Sequence, residues 1–103
     1  MDDGNLIELG GNIQLSGFTN LKPGEMTIIK KLVGTQTKKI STICTNFETI
    51  NLNMRANPDD AKTLFELKAK LIDNGKVITS EVTDKNLFFA LDSVMKKIIN
   101  QIS

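Results

Sequence analysis

The 103-residue sequence has no histidine, no tryptophan, no tyrosine and one cysteine, Cys44. Without histidine there is no imidazole base, no histidine ligand for a metal, and no base to activate a serine or cysteine nucleophile. One cysteine cannot form a disulfide within the chain, and Cys44 beside Ile43 is typical of a buried, unreactive thiol. The carboxylates are scattered and do not have the spacing of a metal-binding loop. These absences predict a protein that is not an enzyme, with no catalytic residues, no metal site, no cofactor and no small-molecule substrate.

Long apolar runs are also missing. No stretch approaches the roughly 20 apolar residues that span a bilayer. The first four residues are Met-Asp-Asp-Gly, and this acidic start differs from the basic start of a secretory signal. We therefore expect a cytoplasmic protein with no membrane partner. The length suits one domain with a single core.

The net charge gives little guidance, because 13 basic residues nearly balance 12 acidic ones and leave a formal charge of +1. A strongly basic nucleic-acid-binding protein would carry a larger excess. Any interaction with nucleic acid must therefore depend on how the basic residues are distributed over the folded surface.

The first half of the chain predicts an arm, a strand and a helix. Residues 1–11 are polar and contain glycine, which indicates a flexible N-terminal arm in which residues 6–9 could extend a strand, followed by a single domain over 12–103. Alternation over 12–18 predicts a half-buried strand. Residues 23–43 have apolar side chains at helical spacing and Pro23 in the first turn, where it is tolerated. Gly34 lies inside this helix and weakens it by up to about 1 kcal/mol relative to alanine.

The second half predicts three strands and a helix. Alternating segments at 48–55 and 63–71 are separated by Asn57-Pro58-Asp59-Asp60, which indicates a turn or short loop. Asn74-Gly75 is the strongest short signal for a hairpin, because a type I′ turn needs a positive φ at both central residues. A strand over 77–82 and an amphipathic helix over 87–102 follow, with Thr83 or Asp84 as the predicted N-cap.

The element order is therefore β-α-β-β-β-α, which predicts an α+β fold. We expect a four-stranded sheet with both helices packed on one face. The first crossover should be right-handed and should place the first strand parallel to a later one. The other face of the sheet should be polar and open to water.

Three segments of this pattern carry a resemblance to a known family. Residues 13–18 form an alternating strand that ends in Ser-Gly-Phe, 73–76 form the Asp-Asn-Gly-Lys hairpin, and 86–92 read Asn-Leu-Phe-Phe-Ala-Leu-Asp. The last segment resembles the Asp-x-Tyr-Ala-Ala-Ile-Asp motif of the ribosome hibernation promoting factor and ribosome-associated translation inhibitor family, also called sigma-54 modulation proteins. Ala90 and Asp92 match this motif, and Lys97 and Gln101 match later positions of the same helix.

The resemblance covers about residues 12–102 and corresponds to the short form of the family. It implies a stress-response protein that docks on the rRNA of the small ribosomal subunit, blocks the tRNA and mRNA channel, and acts as a monomer. The sequence also departs from the family pattern. Asn86 replaces aspartate, Phe88 replaces tyrosine, Phe89 replaces a small residue, and Asn100 replaces arginine.

The basic residues of the two helices can form one surface. On a helical wheel, Lys31 and Lys38 nearly coincide opposite the apolar stripe, and Lys30 and Lys39 flank them. Lys85 and Lys96 are eleven positions apart and also nearly coincide. The predicted nucleic-acid-binding residues are Lys30, Lys31, Lys38, Lys39, Lys85, Phe89, Lys96, Lys97 and Arg55. The alternative is an ordinary solvated helix surface, since lysine is common on such surfaces.

Two of these candidates have specific alternatives. Phe89 projects from the polar face of the last helix, where it could stack on an unpaired base. Alternatively, it covers a gap beside the first helix or packs under the N-terminal arm. Arg55 on the open sheet face could bind phosphate, or it could pair with Glu66 across the strands, as Lys68 and Lys70 could pair with acidic neighbours.

Two other functions compete with ribosome binding. Without its first strand the order is α-β-β-β-α, which is the order of double-stranded RNA-binding modules. Those modules carry a lysine cluster at the start of the last helix, where this chain has only Lys85. A protein-interaction module without a nucleic-acid role would fit the near-neutral charge, and an exposed sheet edge could pair with a partner strand.

Overall fold

A computed structural model describes residues 6–10, 12–19, 21–59 and 62–103, except for the side chain of Asp59. The fold is α+β, as predicted, with a sheet covered by two helices. The elements are β1 (Leu6–Glu8), β2 (Ile13–Ser16), α1 (Pro23–Ile43), β3 (Phe47–Asp59), β4 (Lys62–Asp73), β5 (Lys76–Asp84) and α2 (Leu87–Ile102).

The sheet has five strands in the order β1-β2-β3-β4-β5, so the prediction of four strands was wrong by one. The additional strand, β1, lies inside the predicted N-terminal arm and pairs antiparallel with β2, where Ile7 is opposite Leu15. A strand extension over residues 6–9 was one possibility for this arm, and β1 falls within it, although three residues are too short for alternation to identify a strand. Residues 1–5 and 11 of the predicted arm lie outside the described residues.

The other strand pairs agree with the expected topology. β2 and β3 are parallel, with Leu15 opposite Leu52, and α1 forms the crossover between them. β3, β4 and β5 form an antiparallel meander. Asn74 (φ 53°) and Gly75 (φ 81°) both have positive φ, as the predicted two-residue hairpin requires.

The β3–β4 ribbon is longer than predicted. Strand pairing continues to Asp59 opposite Lys62 and includes Pro58 opposite Thr63, in a segment that the sequence assigned to a turn or loop. Asp60 and Ala61 lie outside the described residues. β5 ends opposite Phe65, so the last part of the ribbon pairs with neither β2 nor β5. Pro58 is tolerated because a ribbon edge does not require its missing N–H.

One face of the sheet and the inner faces of both helices form the core. Each long strand presents alternate apolar residues to it, and the helices add their apolar stripes. Fully buried members include Leu15, Leu52, Leu71, Ile40 and Leu91. The opposite face carries polar residues, including Asn53 and Lys68, and is open as predicted.

The two helices run parallel to each other. Both follow strands of the same direction, and their last residues, Ile43 and Ile102, line the same cleft. The N-cap of α2 is Asn86, whose Oδ1 accepts a hydrogen bond from the backbone N–H of Phe89 at 3.0 Å. The predicted caps were wrong because β5 continues through both Thr83 and Asp84.

Candidate nucleic-acid interface

Helix α1 presents four exposed lysines: Lys30, Lys31, Lys38 and Lys39. Its buried positions are Ile29, Val33, Gln36, Thr37 and Ile40. On an α-helical wheel these buried residues lie on one side, with Lys31 and Lys38 on the opposite side. The predicted outward orientation of these two lysines is therefore present in the fold.

Helix α2 contributes a second row of exposed residues beside the lysines of α1. Lys85 immediately precedes the N-cap of the helix, and Phe89, Lys96 and Asn100 lie on the outer side of the helix. All four residues are exposed. The side chain of Phe89 is 58% exposed, the largest value among the exposed large apolar residues of the described chain. This exposure argues against the alternative in which Phe89 covers a gap beside α1. The alternative in which it packs under the N-terminal arm involves residues 1–5 and 11, which lie outside the described residues.

A polar bridge joins the two helices between these rows. Gln36 Nε2 donates a hydrogen bond to Asp92 Oδ1 at 2.8 Å, and Lys96 Nζ forms an ion pair with Asp92 Oδ2 at 2.9 Å. The hydrogen bond from Lys96 is the main reason that the pKa of Asp92 is lowered; burial opposes the shift, and Gln36 and the charge of Lys39 support it. This carboxylate therefore stays ionised at neutral pH and partly neutralises the adjacent lysines.

We define the helix face as Lys30, Lys31, Lys38, Lys39, Lys85, Phe89 and Lys96. Among the described residues, Lys96 is the one member whose amine forms an ion pair with a carboxylate. The helix face therefore has an excess of positive charge within a chain of net charge +1. Such a surface attracts phosphate even when the whole protein is nearly neutral.

Lys97 has a different environment. Its amine donates to the backbone carbonyl of Glu81 at 3.2 Å, and one turn later Gln101 Nε2 donates to the carbonyl of Thr79 at 2.8 Å. Both carbonyls belong to the outer edge of β5, which has no neighbouring strand among the described residues. These two side chains cover the edge and leave Lys97 at the margin of the helix face.

Arg55 lies on the opposite face of the sheet. It is directly opposite Glu66 in the strand register, and its Nη1 is 3.9 Å from Glu66 Oε1. This agrees with a cross-strand pair, although the Arg55 side chain remains 72% exposed. The structure therefore does not bring Arg55 together with the lysines of the helices.

The residues that carried the family resemblance have structural contacts in this fold. Gly17 has a φ of +83°, and a Cβ at this position would overlap the backbone carbonyl of Met54. Asp92 connects the helices, and Lys97 and Gln101 cover the sheet edge. The resemblance is explained by the requirements of the fold and does not by itself define a binding surface.

Sequence reasoning missed a shallow hollow on α1. It has a volume of about 390 Å³ and is lined by Ile28, Lys31, Leu32, Thr35 and Gln36. Ile28 is 50% exposed although it is a large apolar residue. The feature of the sequence that could have indicated this hollow is Ile28, a large apolar residue that falls outside the apolar stripe of the helix.

Cys44 is only half-buried, at the end of α1. Burial, followed by the nearby charge of Asp73 and a hydrogen bond to it, raises the pKa of the thiol to about 11. A thiol with this pKa is mostly protonated at neutral pH, so low reactivity is expected. Within the described ranges, no three His, Cys, Asp or Glu side chains are arranged to hold a metal ion. No helix there is both long and apolar enough to cross a membrane.

The fold and the lysine-bearing helices define an α+β domain with a basic helical surface. No protein-family model matches the chain, and no curated protein matches it. The chain is similar in structure to a crystal structure of the Thermus thermophilus Protein Y N-terminal domain. The TM-score is 0.50 at 17% sequence identity, over 73% of this chain and 79% of that one. At this identity, the similarity establishes a shared fold.

Proposed function

We propose that this protein binds the small ribosomal subunit through rRNA phosphates and inhibits translation by occupying the tRNA and mRNA channel. The observation that carries the proposal is the helix face, where six exposed lysines from α1, from the residue before the N-cap of α2 and from the body of α2 accompany one carboxylate, Asp92, that is ion-paired with Lys96. The shared fold supports it, because Protein Y belongs to the ribosome hibernation and sigma-54 modulation family that the sequence resembles. The mechanism is steric and needs neither catalysis nor a cofactor, and the protein acts as a cytoplasmic monomer.

The phosphate contacts in this proposal come from the lysines of the helix face, with Lys97 at its margin. Arg55 would contribute only if a second RNA segment reached the open sheet face. Lysine amines are flexible point charges, so they suit contacts to the phosphate backbone that do not depend on base sequence.

Two observations weigh against the competing functions. The start of α2 carries Lys85 without the neighbouring lysines that a double-stranded RNA-binding module would use. A protein-interaction module that adds a strand at β5 would have to displace the Lys97 and Gln101 side chains from the Glu81 and Thr79 carbonyls.

Co-sedimentation with purified small ribosomal subunits at about 50 and about 500 mM salt tests the proposal, because phosphate contacts weaken steeply with salt. We expect the native chain to pellet at low salt only. The double variant Lys31→Gln, Lys38→Gln should bind more weakly and lower the salt slope by roughly one for each lysine.

The matched control is Lys68→Gln, Lys70→Gln, which removes the same charge from the open sheet face. We expect this control to pellet like the native chain. Equal losses in both double variants would show that net charge alone governs binding and would contradict the proposed surface. No pelleting of the native chain at either salt would reject ribosome binding.

A further inference from the structure

We propose that Phe89 is a stacking site for one unpaired RNA base, held between phosphates bound by Lys85 and Lys96. The proposal rests on the proposed function and adds to it a preference for single-stranded RNA. Its first support is exposure. A phenylalanine that is 58% exposed keeps most of its ring in water, although burial of such a ring is favourable.

The second support is the fixed position of the ring. The backbone N–H of Phe89 donates to Asn86 Oδ1 at 3.0 Å, so the residue lies in the capped first turn of α2. A capped turn restrains the backbone that carries the ring. A base can therefore bind to this site with a smaller ordering cost than to a ring on a mobile loop.

The third support is the arrangement of charge around the ring. Lys85 precedes Phe89 by four positions, and Lys96 follows it by seven, which is two helical turns or roughly 10 Å along the axis. Lys96 is oriented by its ion pair with Asp92 at 2.9 Å. A strand that crosses the helix face along α2 would thus meet a cation, an aromatic ring and a second cation in order, which is the arrangement used for single strands.

The hollow on α1 is at about the same level along the helices as this site. The Gln36–Asp92 hydrogen bond fixes the two parallel helices side by side, and both Leu32 and Phe89 lie about one turn before it. The exposed side chain of Ile28 and the half-buried side chain of Leu32 are therefore at about the level of the Phe89 ring. Apolar side chains at this level suit contact with a base, and Lys31 at the hollow suits its phosphate.

The absence of tryptophan and tyrosine from the chain allows a direct test. In Phe89→Trp, the new indole is the only strong emitter, and stacking of a base should quench its fluorescence. The probe is a single-stranded oligouridylate at low salt, compared with a strand of equal length whose bases are removed. We expect quenching by the first strand and little quenching by the second, although both carry the same phosphates. Val77→Trp is the matched control, since Val77 is 54% exposed but lies on β5, outside the helix face.

Affinity supplies the second measurement. Phe89→Ala should weaken binding of the oligouridylate roughly 5- to 100-fold, the usual effect of losing one stacked base. Phe89→Leu should behave like Phe89→Ala, because it keeps apolar bulk without a ring. A short RNA duplex should bind Phe89→Ala and the native chain equally.

The outcomes separate this inference from the proposed function. Equal quenching by the normal and base-free strands, or unchanged affinity of Phe89→Ala, would overturn stacking while the lysine-dependent pelleting with ribosomal subunits remained. Full affinity of Phe89→Leu for the oligouridylate would show that apolar bulk without an aromatic ring is sufficient, and would also overturn stacking. Failure of the native chain to bind either RNA or subunits would reject both proposals together.

Discussion

Gln36 and Asp92 are 56 positions apart in the chain, and they connect the two helices by a hydrogen bond of 2.8 Å. Gln36 is 7% exposed, and its Oε1 has no hydrogen-bond partner among the described residues. The bridge therefore satisfies one end of a buried amide and leaves the other end unsatisfied. An unsatisfied buried acceptor costs about 1–3 kcal/mol, so the net stabilisation by Gln36 should be small.

Changing Gln36 tests this balance. We expect Gln36→Leu to alter the free energy of unfolding by less than about 1 kcal/mol, because it removes an unsatisfied oxygen together with the hydrogen bond. Gln36→Glu should destabilise by more than about 1 kcal/mol, because it places a second carboxylate beside Asp92. Urea unfolding of both variants at neutral pH measures the difference. A large loss in Gln36→Leu would show that the bridge is a major source of stability.

The ionisation of Asp92 predicts a pH dependence. Its pKa is lower in the folded protein than its usual value of 3.8, so ionisation stabilises the fold above about pH 4 and this contribution is lost as the pH falls through the folded pKa. Asp92→Asn should therefore be less stable than the native protein at pH 7, and the difference should narrow towards pH 3. Lys96→Met removes the main cause of the lowered pKa of Asp92. This variant should therefore show a weaker dependence of stability on pH than the native protein. A difference that is constant with pH would contradict this assignment.

Two glycines should respond in opposite directions to alanine. Gly17→Ala should destabilise by roughly 2–4 kcal/mol, because φ is +83° and the new Cβ would overlap the Met54 carbonyl. Gly34→Ala should stabilise by up to about 1 kcal/mol, because Gly34 is inside α1 and a Cβ there meets nothing within 4 Å. Thermal unfolding of the two variants checks both signs. A tolerated alanine at position 17 would mean that the turn after β2 can rearrange.

The covered edge of β5 predicts resistance to self-association. Lys97→Ala combined with Gln101→Ala should expose the Thr79 and Glu81 carbonyls and increase edge-to-edge aggregation. Lys38→Ala combined with Asn100→Ala removes the same types of group from exposed helix positions and is the control. Light scattering over a concentration series should rise in the first pair only. Equal scattering by both double variants would show that the loss of charge, and not the exposure of the β5 edge, causes the aggregation.

The reactivity of Cys44 gives a prediction for the other end of the molecule. Alkylation should be slow at neutral pH and should increase with a midpoint at about pH 11. Asp73→Asn should lower that midpoint, because the Asp73 charge and hydrogen bond both raise the pKa of the thiol. The midpoint should nevertheless remain above that of a free cysteine, since burial is the largest cause. Iodoacetamide labelling rates against pH measure both midpoints.

Local patterns in the sequence determined most of the elements. Alternation identified the strands that contain Leu15, Leu52 and Leu71, helical spacing identified both helices, and Asn74-Gly75 specified its turn. These features succeed because one buried face imposes a fixed period on a strand or helix. The outward orientation of Lys31 and Lys38 follows from the same periodicity.

Only the tertiary structure decided the features that depend on neighbours. Leu6–Glu8 forms a strand because it pairs with the free edge of β2. The β3–β4 ribbon continues through Pro58 because the two strands pair with each other there. Lys96 and Lys97 are adjacent in sequence and both exposed, yet one forms an ion pair with Asp92 and the other covers the β5 edge. Hydrogen bonds between distant segments distinguish them, and no local period contains that information.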